Sequence, residues 1–199
     1  QDGFTVLKFK IGALDFQSEY KLLSQVRQEF GAALEIRVDA NGAFEEKNVS
    51  GVLAKLDAIN VHSIEQPVRP GQRKLMREIC QKTSVPIALD EELIGIHLIN
   101  DKMEVLESIR PQYIILKPSL HGGLVGTLEW ISLAKEMDIG WWITSALESS
   151  IGLEVIARMA GFLNPQIPQG LGTGGLFENN FESSLVIEKG TLKYKNVKK

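Results

Sequence analysis

The sequence predicts an α/β fold, a barrel in which short parallel strands alternate with helices. Two observations carry that prediction. Apolar, β-favouring runs alternate with stretches of helical periodicity along the whole 199-residue chain, and a charged residue closes five of those runs at nearly one interval. Lys10, Asp39, Glu65, Asp90 and Lys117 follow one another at spacings of 25 to 29 residues, the length of one strand, one helix and two short loops.

Taken in order, Phe4-Thr5-Val6-Leu7 reads as a strand, and Tyr20, Leu23, Val26 and Phe30 mark a helix that Gly31 stops. Leu34 to Val38 is the next strand, and Val49, Val52, Leu53 and Leu56 form the face of the helix after it. His62-Ser63-Ile64 leads to Glu65, and Leu75, Met76 and Ile79 mark a further helix. Pro86 to Leu89 is a short buried strand, Leu98 to Ile109 a helix ending before Pro111, and Tyr113 to Leu116 a continuous β-favouring run expected where both faces are covered. Leu124, Leu128, Ile131 and Met137 predict a helix, Trp141-Trp142-Ile143-Thr144 a strand, and Ile151, Val155, Ile156 and Met159 a last amphipathic helix. A Gly- and Pro-rich stretch follows, with a degenerate strand expected within residues 166–170. Residues 184–194 read as two strands joined at Lys189-Gly190. The apolar pattern changes period without a shift in composition, so residues 1–199 are one domain with no linker.

Composition narrows the function classes. A net charge of −3 and a pI near 5.7 give no electrostatic footprint for nucleic acid or an anionic membrane, and no apolar run reaches transmembrane length. A single cysteine, Cys80, excludes a disulfide framework and makes a reducing cytoplasm the expected compartment. The chain is shorter than the ~250 residues of a complete eightfold barrel and runs directly into a strand, so it is expected to begin partway through a larger protein.

In a barrel of parallel strands the carboxyl ends meet at one mouth. Asp39, Glu65 and Asp90 would face one another there with Lys10 and Lys117. Buried like charges need compensation, and a divalent cation held by the three acids supplies it. Mg²⁺ fits best, with Mn²⁺ as a substitute, because it takes few protein ligands and leaves positions for substrate oxygens. Asn41 and Glu91 are placed to orient the ligands. Lys8 and Lys10 are two apart on a strand and share a face, which a strand flanked by helices should bury. A lysine acts as base only in its neutral form, which requires a value lowered from ~10.4. Neighbouring positive charge, from the other lysine and the metal, acts in that direction.

Lys8-Phe9-Lys10, Val38-Asp39-Ala40-Asn41-Gly42, Ile64-Glu65-Gln66-Pro67, Leu89-Asp90-Glu91 and Leu116-Lys117-Pro118 together resemble, in order and spacing, the enolase superfamily and within it the muconate-lactonizing subgroup. The resemblance spans the chain. It implies a TIM-like modified (β/α)7β barrel that here lacks the first strand and the N-terminal capping domain, the latter being an expected partner. It also implies Lys10 as base, Lys8 as its electrostatic partner, and Lys117 as a cation facing the enolate made from a small carboxylate substrate. The segments 144–153 and 169–173 are similar to the members that dehydrate a succinyl-bearing hydroxycyclohexadiene carboxylate in menaquinone biosynthesis. Racemases of N-succinyl amino acids, dipeptide epimerases and an inert metal-binding barrel piece stay open as alternatives, and the oligomeric state is undetermined.

Ser145 and Glu148 either face the mouth or belong to the start of the next helix, for which Ser149 or Ser150 is the expected cap. Gly170 and Gly172 are candidate backbone contacts for a substrate carboxylate. His62, His97 and His121 lack metal-ligand spacing, Trp141 and Trp142 read as core, and Cys80 has no feature of a reactive thiol.

Overall fold

A computed structural model of the chain describes residues 3–195. Six strands, β1 (Val6–Lys10), β2 (Glu35–Asp39), β3 (Ser63–Glu65), β4 (Ile87–Leu89), β5 (Tyr113–Leu116) and β6 (Gly140–Ile143), form one parallel sheet in chain order. Among the described residues the α-helices are α1 (Phe16–Phe30), α2 (Glu46–Ala58), α3 (Arg73–Lys82), α4 (Ile99–Ile109), α5 (Gly123–Glu136) and α6 (Ser150–Leu163). Each of α1 to α5 connects two successive strands. The sheet curves as a half-barrel. A separate antiparallel hairpin, β7 (Leu185–Glu188) and β8 (Thr191–Tyr194), turns at Lys189 and Gly190, both with positive φ.

Strand alternation divides the core in two. Ile36, Val38, Ile64, Ile87, Leu89, Ile114, Leu116 and Ile143 belong to the large cluster that includes the helix residues Leu56, Met76, Leu106 and Trp130. Ala88, Ile115 and Trp142 form a second, small cluster with Tyr113 and Ile167 on the other face. That inner face is where the charged residues of the strand ends also lie, so few apolar side chains remain to fill it. The buried Arg37 guanidinium sits 4.3 Å over the Trp142 ring and donates to the Pro168 carbonyl at 3.2 Å.

Several expectations are corrected. The first strand runs over residues 6–10, and it is a sheet edge. Leu7, Lys8 and Lys10 are therefore exposed, where two covered faces had been expected, because β1 is hydrogen-bonded to β2 on one side only. The degenerate strand at residues 166–170 is a single parallel bridge between Thr144 and Gly170. Gly170 is required there by close approach, since a Cβ would stand 2.6 Å from Thr144 Oγ1. Leu124 and Leu128 do not form the buried face of α5, and Ile151 and Val155 do not form that of α6; all four are exposed. Ile131 on α5 and Ile156 and Met159 on α6 are buried as expected, together with Gly126, Thr127, Trp130 and Ala134 of α5 and Leu153 and Ala160 of α6. Both sequences are apolar around most of the helix, so periodicity could not choose a face. Ser149 stands at the N-cap of α6 without a capping bond, and the Ser150 N–H is taken by Asn180 Oδ1 at 2.8 Å.

Among the described residues no helix is long and apolar enough to cross a membrane. Burial pushes the Cys80 thiol up to about 12. Two outcomes follow from this packing. Truncating the fully buried Ile114 to Ala should cost about 2–5 kcal/mol in urea unfolding. Cys80 should resist a thiol reagent at pH 8 in the folded protein and react when urea is added, as followed by mass spectrometry.

Candidate active site

Parallel register brings the strand-end charges together. Lys10 pairs with Asp39 and Asp39 with Glu65 across β1, β2 and β3. Asp90 follows directly on β4 and Lys117 directly on β5. The three carboxylates are buried, Asp90 completely. Asn41 and Gly42 make the turn after β2 with positive φ at both positions, and a Cβ on Gly42 would stand 3.0 Å from the Arg69 Cα. That turn points the Asn41 amide at the site. Asn41 Oδ1 accepts from Lys10 at 2.5 Å, while its Nδ2 donates to Glu91 Oε1 at 2.7 Å.

Ammonium groups compensate the acids. Lys8 Nζ lies 2.9 Å from Asp39 Oδ2 and 2.6 Å from Glu65 Oε2, Lys10 Nζ lies 3.1 Å from Asp39 Oδ2, and Lys117 is bonded to Asp90. Burial would raise the Asp39 carboxyl, but Lys8 and then Lys10 outweigh it and hold it below the ordinary range. Glu65 is pushed up to about 9 by burial, with Asp39 and Asp90 adding to the push and Lys8 offsetting only part of it. Burial also acts against a charged Lys8, yet Glu65 and Asp39 more than reverse this and hold it above its ordinary value. Lys8 and Glu65 thus both favour keeping the proton that lies between them. The carboxylates that touch Lys8 account for that direction.

Among the described residues no group of three or more His, Cys, Asp or Glu side chains is gathered closely enough to hold a metal ion. The donor set nevertheless suits a hard cation. Glu65 Oε1, Asp90 Oδ1 and Glu91 Oε2 are buried with no hydrogen-bond partner, and these are carboxylate oxygens of the kind Mg²⁺ prefers.

A cavity of about 670 Å³ opens beside this array. Lys8, Lys10, Asp39, Asn41, Lys117, Ser145, Gly170 and Gly172 all line it. Ser145 shares a 2.6 Å hydrogen bond with Thr173. Glu148 is not among the lining residues: its carboxylate accepts from the Ala146 N–H at 2.9 Å and from Ser119 Oγ at 2.5 Å, tying the loop after β6 to the loop after β5. Arg37 also lines the cavity, and its placement could have been read from the alternation that puts it two residues before Asp39. His121 gave no such signal. Its Nδ1 accepts from the Lys117 N–H at 2.9 Å, which seats the loop carrying that lysine.

The family described as enolase C-terminal domain-like matches residues 1–196. The chain belongs to it. Within this superfamily it falls in the muconate-lactonizing subgroup. It is 50% identical over 192 residues to an o-succinylbenzoate synthase of Desulfotalea psychrophila, covering 96% of this chain and 52% of that protein. An L-Ala-D/L-Glu epimerase of Francisella tularensis subsp. novicida is 29% identical over 160 residues, with 79% and 44% covered. The crystal structure of MenC from Desulfotalea psychrophila superposes with a TM-score of 0.91 at 49% identity, over 96% of this chain and 53% of that one. The muconate lactonizing enzyme of Pseudomonas putida shares the fold, with a TM-score of 0.84 at 22% identity, over 98% of this chain and 57% of that one. The enolase-type chain spans about half the length of the relatives it matches.

His121 generates a pH prediction for this barrel piece. Burial lowers its imidazole to about 4 from an ordinary 6.5, with Asp90 opposing the shift and Lys117 and Lys102 assisting. The unfolded chain therefore takes up a proton near pH 6.5 that the folded chain refuses until about pH 4. Stability present above pH 6.5 is lost as the pH falls through that window, by up to about 1.4 kcal/mol per pH unit. His121→Asn should show a shallower loss in urea titrations between pH 6.5 and 4; an unchanged slope would remove His121 from the account.

Proposed function

We propose that the protein containing this chain is an o-succinylbenzoate synthase, a carbon–oxygen lyase that dehydrates a succinyl-bearing hydroxycyclohexadiene carboxylate in the cytoplasm. The observation that carries the reading is the set of three lysines and Asp39 lining one cavity, with Glu65 and Asp90 at the neighbouring strand ends, within a sequence 50% identical to a synthase of that name.

Asp39, Glu65 and Asp90 would hold Mg²⁺ or Mn²⁺, with Asn41 and Glu91 steadying them. When bound, the cation concentrates positive charge where the enolate develops. The chain's own groups do the rest. Lys10 lines the cavity and is held by Asn41 and Asp39, which aims its Nζ at a substrate carbon next to a carboxylate. It removes the α-proton there and returns it to the departing hydroxyl when both lie on one face of the ring. Lys8 keeps Asp39 and Glu65 in place beside it. Lys117, on the strand end across the cavity, faces the enolate as a cation. Ser145 and the backbone at Gly170 and Gly172 line the same space and suit a second carboxylate.

Racemisation or epimerisation is the second reading. It is favoured by lysines reaching the cavity from β1 and from the end of β5, one for each face of a substrate carbon, and by the similarity to an epimerase.

The test is ultraviolet monitoring of the dehydration by the full natural polypeptide carrying this chain, with and without Mg²⁺. Metal-dependent loss of the diene absorbance is the expected result, and Lys10→Ala should slow it by about 10²–10⁴-fold without lowering the melting temperature. No dehydration, with α-proton exchange of an N-succinyl amino acid in D₂O, would establish the second reading. A Mg²⁺ thermal shift with neither reaction would leave a barrel that binds metal without turnover.

A further inference from the structure

The best-connected residue at the site carries no charge. Gln66 is fully buried and follows Glu65 at the end of β3. Its Oε1 accepts from the Asp90 N–H at 3.3 Å and the Glu92 N–H at 3.2 Å, and its Nε2 donates to the Val68 carbonyl at 3.0 Å. Its own N–H donates to the Ala88 carbonyl at 2.9 Å, and its carbonyl accepts from the Gly42 N–H at 2.7 Å. One side chain and one peptide unit therefore bind the turn after β2, the end of β3 and the end of β4.

The backbone at Gln66 has φ of +40°, a strained conformation for a residue with a Cβ that persists where surrounding contacts enforce it. Of the residues directly following β2, β3 and β4, which are Ala40, Gln66 and Asp90, Gln66 alone has positive φ. With that backbone conformation the side-chain amide reaches the Asp90 and Glu92 N–H groups. Asp90 thus donates to Gln66 directly, Glu65 adjoins it in sequence, and Asp39 lies three residues from Gly42, whose N–H donates to the Gln66 carbonyl.

We infer that Gln66 is a positioning residue that sets the mutual spacing of Asp39, Glu65 and Asp90 for one cation. The inference rests on the proposed function in so far as those three acids are the ligands. Its logic is geometric. The carboxylates repel one another, and their ion pairs run outward to lysines on β1 and after β5, whereas the Gln66 hydrogen bonds join the three strand ends directly to one another. A neutral amide is suited to this task because it accepts and donates at once and adds no fourth negative charge to the site.

The test uses Mn²⁺ and the full natural polypeptide, with binding and the bound-ion spectrum read by electron paramagnetic resonance and stability read by melting without metal. Gln66→Met keeps the volume and removes the bonds. It should weaken Mn²⁺ binding at least tenfold and broaden the bound spectrum. Ile114→Ala, a core variant that removes none of these bonds, should lower the melting temperature at least as much and leave Mn²⁺ affinity within threefold of wild type. Gln66→Glu keeps the acceptor for the Asp90 and Glu92 N–H groups but loses the donor to the Val68 carbonyl and adds a fourth negative charge. It should change the bound-ion spectrum, which is read even if the Met variant does not fold. Wild-type affinity in a folded Gln66→Met, or the wild-type spectrum in a folded Gln66→Glu, would overturn the inference while leaving the proposed function standing. Absence of Mn²⁺ binding by the wild-type protein would overturn both.

Discussion

Everything at this site depends on the confinement of like charges. Parallel pairing puts Asp39 beside Glu65 and brings Asp90 to the next strand end, and burial then removes the water that would otherwise screen them. A fold that gathers acids in this way must bring cations with it. Lys8, Lys10 and Lys117 are those cations, and they reach the acids from the two strands that flank the group. The outer faces of the same strands are aliphatic, so the charged cluster is carried on a rigid, well-packed support.

Two kinds of positive charge can satisfy the three acids, and they do different things. The lysines reach all three, two around Asp39 with Lys8 shared by Glu65, and one on Asp90, and leave one oxygen each on Glu65 and Asp90 without a partner among the described residues. A divalent ion would instead draw on several carboxylates at once.

The outline of the fold was legible because strand and helix periods differ and because charged residues mark the strand ends. The lysines and carboxylates were legible for the same reason. Exposure of β1 was not, since a strand's sequence carries no mark of whether a neighbour lies on each side. The faces of α5 and α6 were hidden by surplus apolar residues such as Leu124 and Ile151. Asn180 as the cap of α6, His121 under the Lys117 loop and Gln66 between the acids escaped for one shared reason. Each acts through hydrogen bonds to backbone or to residues distant in sequence, and polar side chains of this kind look like ordinary loop residues until the chain is folded.

The hairpin turn at Lys189 and Gly190 packs against Gly3, just ahead of the strand that carries Lys8 and Lys10, so closely that neither glycine has room for a side chain. During synthesis, residues 3 and 190 are separated by nearly the whole domain. A ribosome-bound chain can lay down β2 to β6 and their helices, but it cannot complete this contact until the hairpin has emerged. The lysine strand can pair with β2 as soon as that strand emerges, but the segment leading into it is closed off last.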